Sequence, residues 1–379
     1  MRHQKVGAGL FGTGPALLHH LDALRRLGTV NVLAIAGSDE ESTLHYAHVI
    51  GVARAYGYYE RLIADPDVQV VHVTASAEKR VPAILAALAA GKHVVSEAPA
   101  GRDLAQCVAL AEAAAKVDLA CAVSSPLRCN PMIQRACSLI SKGQLGSIFF
   151  VKGHAFSAPV IDGSLRDSQG AFPTSGLNFS LADFIMEWCD IAQYVSGSRI
   201  ESVLADMTEV FPLTDQAECA QSPNDGGQIG TALFRFKNGI KGHLTFGQME
   251  HGASDKCRIE INGLDASVIW DQRQQNDLWI GKSGETKALL VKDTSSSDES
   301  RMGTRLLSSF PTAWADSLRD YFIDVYRWID LGGGSKTKPL TVSTSLDSVN
   351  LCKIISCIQK SHRLGGVWLD VDGDPKPKN

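Results

Sequence analysis

The N-terminal residues 5–17, KVGAGLFGTGPAL, most constrain what this chain can fold into. An apolar stretch that ends at Phe11 has the character of a β-strand, and the turn Gly12-Thr13-Gly14 leads from it into an amphipathic helix. A strand, a glycine turn and a helix N-terminus in this order present backbone N–H groups to which a pyrophosphate can bind. The sequence therefore predicts that Phe11, Gly12, Thr13 and Gly14 contact a dinucleotide cofactor.

The pattern of strands and helices changes once along the chain. Short apolar strands alternate with helices from residue 5 to residue 123, which predicts a doubly wound parallel sheet. Residues 199–291 are mostly strands, and the turn Asn238-Gly239 is typical of a hairpin, so we predict one large, mostly antiparallel open sheet there. We therefore predict an α/β dinucleotide-binding domain over residues 1–125. Residues 126–379 would form an α+β domain for substrate binding and oligomerisation, with its last helix and strand packed either within it or back against the first domain.

Composition and charge exclude several classes of function. The 37 basic and 41 acidic residues give a net charge of −4 with no basic stripe, which argues against a nucleic-acid partner. No apolar run is long enough for a membrane span, and no signal peptide precedes the first strand. The nine cysteines are scattered without a Cys-x-x-Cys pair, so we expect reduced thiols in a cytoplasmic protein and no metal site.

The residues after the second strand bear on the choice of cofactor. Proteins that bind NAD usually place an acid there to bind the adenosine ribose, whereas this chain has Gly37, Ser38 and Asp39. Ser38 could hydrogen-bond a 2′-phosphate, or it could be a turn residue that caps the next helix. Both NAD and NADP therefore remain open as cofactors.

One segment resembles a known enzyme family. Residues 91–100, GKHVVSEAPA, are similar to the Gly-Lys-His-Val…Glu-Lys-Pro segment of the Gfo/Idh/MocA oxidoreductases. Other stretches match the same family in order and spacing, so that the resemblance covers nearly the whole chain: Gly12-Thr13-Gly14 with His20, residues 59–68, Asn130-Pro131 with Gly143 and residues 145–148, residues 190–197, 338–340 and 367–369.

The resemblance implies a fold, a reaction and an assembly. The fold would be an N-terminal Rossmann domain followed by a domain with an open mixed sheet, and that sheet would join the chains of a homodimer or homotetramer. The reaction would be NAD(P)-dependent hydride transfer on a sugar, a polyol or a related hydroxy compound. Besides the glycine turn and Ser38, the cofactor contacts would come from Thr74, Glu97, Ala98 and Arg128, although Arg128 could instead form a salt bridge at a helix start.

The chain departs from the family at the residues that transfer protons. Ala98 stands where the family has the lysine that binds the reacting hydroxyl. The family's Asp-x-x-x-His pair falls on Asp183 and Glu187, so that a carboxyl replaces the usual imidazole. Arg80 likewise stands in the place of a family histidine after the fourth strand.

The substituted site still contains candidate acid and base groups. Asp183, Glu187 and Asp190 are spaced i, i+4 and i+7, which puts them on one face of a helix. Two ionised carboxyls that lie close together repel, and this raises the pKa of one of them, which could then act as the base. Such a row is also typical of a solvated helix face. Lys152 and His154 alternate on one side of a strand and could supply the missing cation.

We therefore predict a catalytic set and a substrate-binding set. The catalytic residues would be Asp183, Glu187 and Lys152. Gly176 and Asn178, which precede the helix that bears Asp183, could belong to a substrate loop or to an ordinary N-terminal cap. The predicted substrate-binding residues are Ala98, His154, Gly176, Asn178 and Asp183.

Three functions fit these residues. The first is an NAD(P)-dependent oxidoreductase with an atypical acid/base set. The second is a non-catalytic sensor that binds a dinucleotide and a sugar, which the loss of both lysine and histidine favours. The third is an NAD-dependent redox-assisted glycosidase. A separate run of aromatic residues over 310–328 has the spacing of a helical face, and we predict that it belongs to the core.

Overall fold

Seven strands form the first sheet of the computed structural model, which describes residues 5–156, 181–208, 229–247, 256–291 and 313–373. The chain divides into two units, the first spanning Met1–Asn130 and Thr312–Val349 and the second Pro131–Pro311 and Asn350–Asn379. The elements of the first unit are β1 (Val6–Phe11), α1 (Pro15–Leu27), β2 (Val30–Ala36), α2 (Glu40–Ile50), β3 (Arg54–Tyr56), α3 (Tyr59–Ala64), β4 (Val70–Val73), α4 (Ala77–Ala89), β5 (His93–Ser96), α5 (Leu104–Ala114), β6 (Cys121–Val123), a 3₁₀ turn (Pro126–Cys129), α8 (Trp314–Asp330), a second 3₁₀ turn (Ser335–Thr337) and β15 (Ser343–Thr344).

The strand order of this sheet sets where a ligand can bind. Across the sheet the strands follow the order β15-β6-β5-β4-β1-β2-β3, and all pairs are parallel except β15 with β6. Strands β1, β4 and β5 are almost wholly buried because helices cover both faces of the sheet. The chain leaves β1 toward β2 on one side and returns at β4 on the other, which makes a switch point at the carboxyl end of β1. The predicted doubly wound parallel sheet is confirmed.

Helix α8 belongs to the first unit although it comes late in the chain. Its buried aromatic face packs against α1 and the core under the sheet, and it includes Tyr321, Phe322, Tyr326 and Trp328. The prediction that these residues are core is confirmed. Trp314 is partly buried against the same core, whereas Phe310 lies outside the described residues.

The second unit is built on a nine-stranded sheet. The elements are α6 (Pro131–Ser141), β7 (Ile148–Phe156), α7 (Leu181–Ser196), β8 (Ile200–Thr208), β9 (Ile229–Phe236), β10 (Lys241–Gly247), β11 (Lys256–Gly263), β12 (Ala266–Asp271), a 3₁₀ turn (Gln272–Gln274), β13 (Asp277–Lys282), β14 (Ala288–Val291) and β16 (Leu369–Asp370); α9 (Ser345–Arg363) begins in the first unit and ends in the second. The strands follow the order β14-β13-β12-β11-β7-β10-β9-β8-β16. The pair β10 and β7 is parallel and the other pairs are antiparallel, as predicted.

Helix α7 packs on one face of the second sheet. Trp188 is fully buried there, and its indole N–H donates to the carbonyl of Arg258 on β11 at 3.1 Å. Gly153 on β7 makes this close approach possible, since a Cβ at that position would lie 2.4 Å from the Trp188 Nε1 atom. On the α6 side, Gln134 Nε2 donates to the Tyr194 hydroxyl at 2.8 Å. These two contacts show which faces of α7 pack against the sheet and against α6, and therefore which face is left for a ligand.

The described residues also bear on membrane, metal and redox chemistry. None of the helices within them has the length and apolar character needed to cross a membrane. The same part of the chain holds no cluster of three or more His, Cys, Asp or Glu side chains suited to a metal ion. Its eight cysteines are free thiols, and burial raises the pKa of Cys121 to about 12.

Candidate functional site

The turn after β1 has the geometry that close approach of a phosphate requires. Gly12 has a φ of +135°, and a Cβ there would lie 2.5 Å from Thr74 Oγ1, so that only glycine fits. Gly14 begins α1 as its N-cap residue, and no atom lies within 4 Å of the position its Cβ would take. The backbone at Gly14 is therefore open to a ligand at a helix N-terminus, where the helix dipole favours an anion. These residues fit a dinucleotide pyrophosphate.

Three other predicted cofactor residues contribute to this turn in different ways. Thr74, which follows β4, donates its hydroxyl to the carbonyl of Phe11 at 3.0 Å. The Phe11 ring is buried against Tyr59, with ring centroids 5.1 Å apart, so that the side chain belongs to the core. Thr13 is exposed between the two glycines. Phe11 and Thr74 therefore stabilise the turn, whereas Thr13 lies at its surface.

The turn after β2 lies beside the first one. A Cβ at Gly37 would lie 2.1 Å from Thr43 Oγ1 and 3.2 Å from Thr13 Cγ2, which explains why no acid can occupy this position in the present packing. The N-cap of α2 is Asp39, whose carboxylate accepts from the Ser42 N–H at 2.9 Å. The alternative prediction that Ser38 caps this helix is therefore wrong. Ser38 is exposed at the turn.

A carboxylate at the end of β5 is bonded to a buried chain of polar groups. Glu97 follows β5, and its Oε1 lies 2.5 Å from His20 Nε2. His20 Nδ1 lies 2.9 Å from His72 Nδ1, and His72 Nε2 lies 3.0 Å from the Tyr326 hydroxyl. Burial by itself raises the pKa of Glu97, but the bond from His20 and nearby positive charge outweigh that effect and hold this pKa below its ordinary value. Glu97 is therefore ionised near neutral pH.

The two positions that differ from the family motif in this unit have contrasting surroundings. Ala98 is exposed and precedes Pro99 through a cis peptide bond. Arg80 is buried, and its guanidinium donates to the carbonyl of Ala75 at 3.1 Å and to that of Pro99. Arg80 therefore ties the loop after β4 to the loop after β5. The position of Arg80 in the sequence drew attention to it, but its cross-linking role emerges only in the fold.

Arg128 forms the salt bridge that was the alternative prediction for it. It lies in the 3₁₀ turn after β6 and is buried. Its Nη2 atom lies 3.6 Å from Asp347 Oδ1, and Asp347 also accepts the Thr344 N–H at 3.0 Å. This ion pair gives Arg128 a structural role within the first unit, and its contact with a cofactor stays a prediction.

The carboxyl row of the second unit lies on α7 as the spacing predicted. Asp183 and Glu187 are half-buried, and Asp190 is buried, so this is not a fully solvated helix face. Burial raises the pKa of the Cys257 thiol well above its ordinary value, and the charges of Glu187 and other acids add to this effect. The structure therefore brings the three carboxyls together on one helix.

Lys152 and His154 share a face of β7, but that face is the one opposite α7. Because the intervening Gly153 would direct a Cβ at Trp188 of α7, its two neighbours point the other way. Lys152 Nζ lies 3.2 Å from Glu260 Oε2 of the adjacent strand, and the His154 ring lies 5.9 Å from that of Phe156. The structure therefore does not bring Lys152 or His154 onto the face that packs with the carboxyl-bearing helix.

Two predicted substrate residues cannot be placed, and three polar residues were missed. Gly176 and Asn178 lie outside the described residues. Sequence reasoning noted His20 only as part of a motif, and it did not find His72 or Tyr326 as partners. His72 is an unremarked residue within an apolar strand, and Tyr326 lies 254 positions further along the chain. No local pattern signals such a contact.

Two family models match this chain. The model described as an oxidoreductase family with an NAD-binding Rossmann fold, GFO_IDH_MocA, matches residues 6–125. The model of the GFO/IDH/MocA C-terminal domain matches residues 133–269. The predicted cofactor class is thereby confirmed for NAD.

Characterised relatives match over most of the chain at low identity. Levoglucosan dehydrogenase of Pseudarthrobacter phenanthrenivorans is 24% identical over 261 residues, which cover 65% of this chain and 66% of that protein. Myo-inositol 2-dehydrogenase of Thermotoga maritima is 25% identical over 275 residues, covering 72% of this chain and 75% of that protein.

Solved structures share the fold over nearly the full length. Levoglucosan dehydrogenase in complex with NADH and levoglucosan aligns with a TM-score of 0.83 at 20% identity, over 97% of this chain and 99% of that one. An inositol dehydrogenase homologue from Azotobacter vinelandii, in complex with NADH and myo-inositol, aligns with a TM-score of 0.80 at 19% identity, over 97% of this chain and 98% of that one.

Proposed function

Because this chain belongs to the Gfo/Idh/MocA family of oxidoreductases, we propose that it transfers hydride between NAD and a hydroxyl-bearing carbon of a sugar or polyol. The names of its relatives, levoglucosan dehydrogenase and myo-inositol 2-dehydrogenase, support a carbohydrate-like substrate. The observation that carries the proposal is the turn at the carboxyl end of β1, where Gly14 leaves the backbone open at a helix N-terminus. NAD, when bound, supplies the hydride acceptor.

The remaining chemistry is proton transfer, which the side chains of this protein must perform. Oxidation of a carbinol requires loss of the hydroxyl proton, and a positioned base contributes about 10²–10⁴-fold to such a step. Asp183 matches the aspartate of the family pair, and its half-buried carboxyl can accept a proton. Glu187 lies one helical turn further on, and its negative charge favours protonation of Asp183. We assign Asp183 as the base and Glu187 as the group that tunes its pKa.

The Asp183→Asn variant tests this assignment. An amide cannot accept the hydroxyl proton, so we expect turnover to fall by roughly tenfold or more, while dinucleotide affinity is unchanged. Turnover is measured from the absorbance of the reduced nicotinamide over a panel of sugars and polyols. Asp206→Asn is the matched control, since that side chain is 79% exposed on β8. Wild-type turnover in the Asp183→Asn protein would remove Asp183 from the mechanism.

Ala98 favours a second candidate function, a sensor that binds dinucleotide and sugar without catalysis. Its exposed methyl group can neither donate a hydrogen bond nor carry a charge where the family has lysine. A sensor would bind NADH but turn over no compound in the panel. A third candidate, a redox-assisted glycosidase, would release the aglycone from aryl glycosides only when NAD is present.

The Ala98→Lys variant separates the oxidoreductase from the sensor. Because the side chain at this position points to solvent, we expect the variant to fold and to bind NADH as the wild type does. For an oxidoreductase that lacks its usual cation, the new ammonium group should raise turnover severalfold. Ala98→Met controls for side-chain length without charge. Equal turnover in the Lys and Met variants would contradict a role for charge at this position.

A further inference from the structure

The side chains of Glu97, His20, His72 and Tyr326 form a hydrogen-bonded chain. Only its first member, Glu97, is in contact with solvent. His20 and His72 are fully buried, and Tyr326 is nearly so, whereas the Glu97 side chain is 24% exposed. The ring of Phe322 meets both imidazoles edge-on, with centroids at 4.8 Å and 5.0 Å. Because water is excluded, every proton in the chain must be shared among these four side chains.

Proton counting along the chain gives its hydrogen bonds a direction. The ionised Glu97 only accepts, so His20 must carry its proton on Nε2, the atom 2.5 Å away. In a neutral His20 the Nδ1 atom then accepts, which requires His72 to donate from its own Nδ1. Complete burial lowers the pKa of His72 well below its ordinary value, so His72 is neutral and has one proton. Its Nε2 atom therefore accepts from the Tyr326 hydroxyl.

The reversed chain is disfavoured at its far end. If His20 carried protons on both nitrogens, His72 would have to donate from Nε2 to the oxygen of Tyr326. The Tyr326 proton would then need another acceptor, and within the described part of the chain His72 is the only hydrogen-bond partner of that hydroxyl. A buried hydroxyl proton without a partner carries a desolvation penalty. Burial also raises the pKa of Tyr326, so the hydroxyl does not ionise.

We propose that Tyr326 and the two histidines form a hydrogen-bond relay with a fixed direction. In this relay Tyr326 donates to His72, His72 donates to His20, and His20 donates to Glu97. The relay holds the carboxylate by its Oε1 atom and leaves Oε2 to accept a hydroxyl group of the bound dinucleotide. His20, His72 and Tyr326 are positioning residues, since they act on the cofactor only through Glu97. This role rests on the proposed function, whereas the direction of the relay does not.

Histidine tautomers in the dinucleotide-free protein test the direction. In protein labelled with ¹⁵N-histidine, long-range ¹H–¹⁵N spectra distinguish a proton on Nδ1 from one on Nε2, and His20→Gln and His72→Gln variants assign the two signals. We expect His20 to be the Nε2–H form and His72 to be the Nδ1–H form. A doubly protonated His20, or a His72 that carries its proton on Nε2, would overturn the proposal.

The Tyr326→Phe variant tests the consequence for the cofactor. Without the terminal hydroxyl the direction is no longer locked, so we expect a fraction of His20 to become doubly protonated. The positive charge of that imidazolium offsets the negative charge of the Glu97 carboxylate and makes Oε2 a weaker acceptor, so we expect the Kd for NADH to rise at least threefold. Tyr321→Phe is the matched control, because that buried tyrosine lies on the same helix and donates instead to the Val123 carbonyl at 2.5 Å. We expect neither the histidine signals nor the NADH affinity to change in the control.

The outcomes separate the relay from the proposed function. Unchanged histidine signals in Tyr326→Phe, or altered signals with wild-type NADH affinity, would overturn the relay as a device that positions Glu97. If the tautomers are as expected but the wild-type protein binds neither NAD nor NADH, the proposed function fails and the direction of the relay is supported.

Discussion

The Gly12→Ala variant is expected to lose roughly 3 kcal/mol or more of folding stability, a large share of the 5–15 kcal/mol typical of a domain. The φ of +135° is strained for any residue with a Cβ, and the added methyl group would lie 2.5 Å from Thr74 Oγ1 and 2.9 Å from the Thr74 carbonyl carbon. These atoms belong to the loop after β4 and cannot move without disrupting the sheet edge. Chemical unfolding monitored by circular dichroism measures the loss.

Gly14→Ala makes the same chemical change two residues further on. It should leave folding stability nearly unchanged and weaken the binding of NADH. No atom lies within 4 Å of the new methyl group, and the φ of −83° suits alanine, so stability should fall by less than about 1 kcal/mol from the poorer N-cap. The methyl group would, however, occupy the space proposed for the pyrophosphate. We expect the Kd for NADH to rise about tenfold or more, which is about 1.4 kcal/mol.

The pair of variants isolates the cofactor from the fold. Calorimetric titration with NADH measures the affinity, and the unfolding curve of each variant measures its stability. Wild-type NADH affinity in Gly14→Ala would show that no pyrophosphate lies over this turn and would remove the main support for the proposed function. Wild-type stability in Gly12→Ala would contradict the close contact with Thr74.

Gly153→Ala should destabilise the second unit by roughly 3 kcal/mol or more. The new Cβ would lie 1.9 Å from the Arg258 carbonyl oxygen and 2.4 Å from Trp188 Nε1, the two atoms that form the hydrogen bond between β11 and α7. Either the strands separate or Trp188 moves, and α7 moves with it. Because α7 carries Asp183, we also expect any turnover to fall.

A second glycine of the same sheet provides the control for that experiment. At Gly281 on β13 the nearest atom to an added Cβ is Lys287 Cγ at 3.8 Å, an ordinary contact with a flexible side chain. Gly281→Ala should therefore change stability by no more than about 0.5 kcal/mol. Equal unfolding midpoints for the two variants, measured by tryptophan fluorescence, would contradict the packing of α7 on β7.

Most secondary structure could be predicted from local patterns. Helices over 15–27 and 40–50 are observed with those bounds, since each has an apolar face of helical period and a glycine in the left-handed conformation after its end. The apolar pattern predicts a helix that starts at Arg80, because Pro82 resembles a residue near a helix start. Helix α4 begins three residues earlier, at Ala77, and Pro82 lies in its second turn.

The candidate site was only partly accessible to the same reasoning. The glycine turn, the carboxyl at Glu97 and the carboxyl row that includes Asp183 and Glu187 could be found because a motif or a helical spacing marks each of them. Alternation along β7 correctly put Lys152 and His154 on one face, but alternation cannot say which face meets a helix. Only the packing of Trp188 over Gly153 decides that.

The sequence by itself determined the order of strands and helices, the glycine turn at the cofactor edge and the family to which the chain belongs, because these depend on spacing within a few tens of residues. The tertiary structure alone decided that Arg128 pairs with Asp347 and that Tyr326 hydrogen-bonds to His72 in the chain that ends at Glu97. Such contacts join residues more than two hundred positions apart. Their partners are chosen by the packing of whole elements, and no local pattern records that choice.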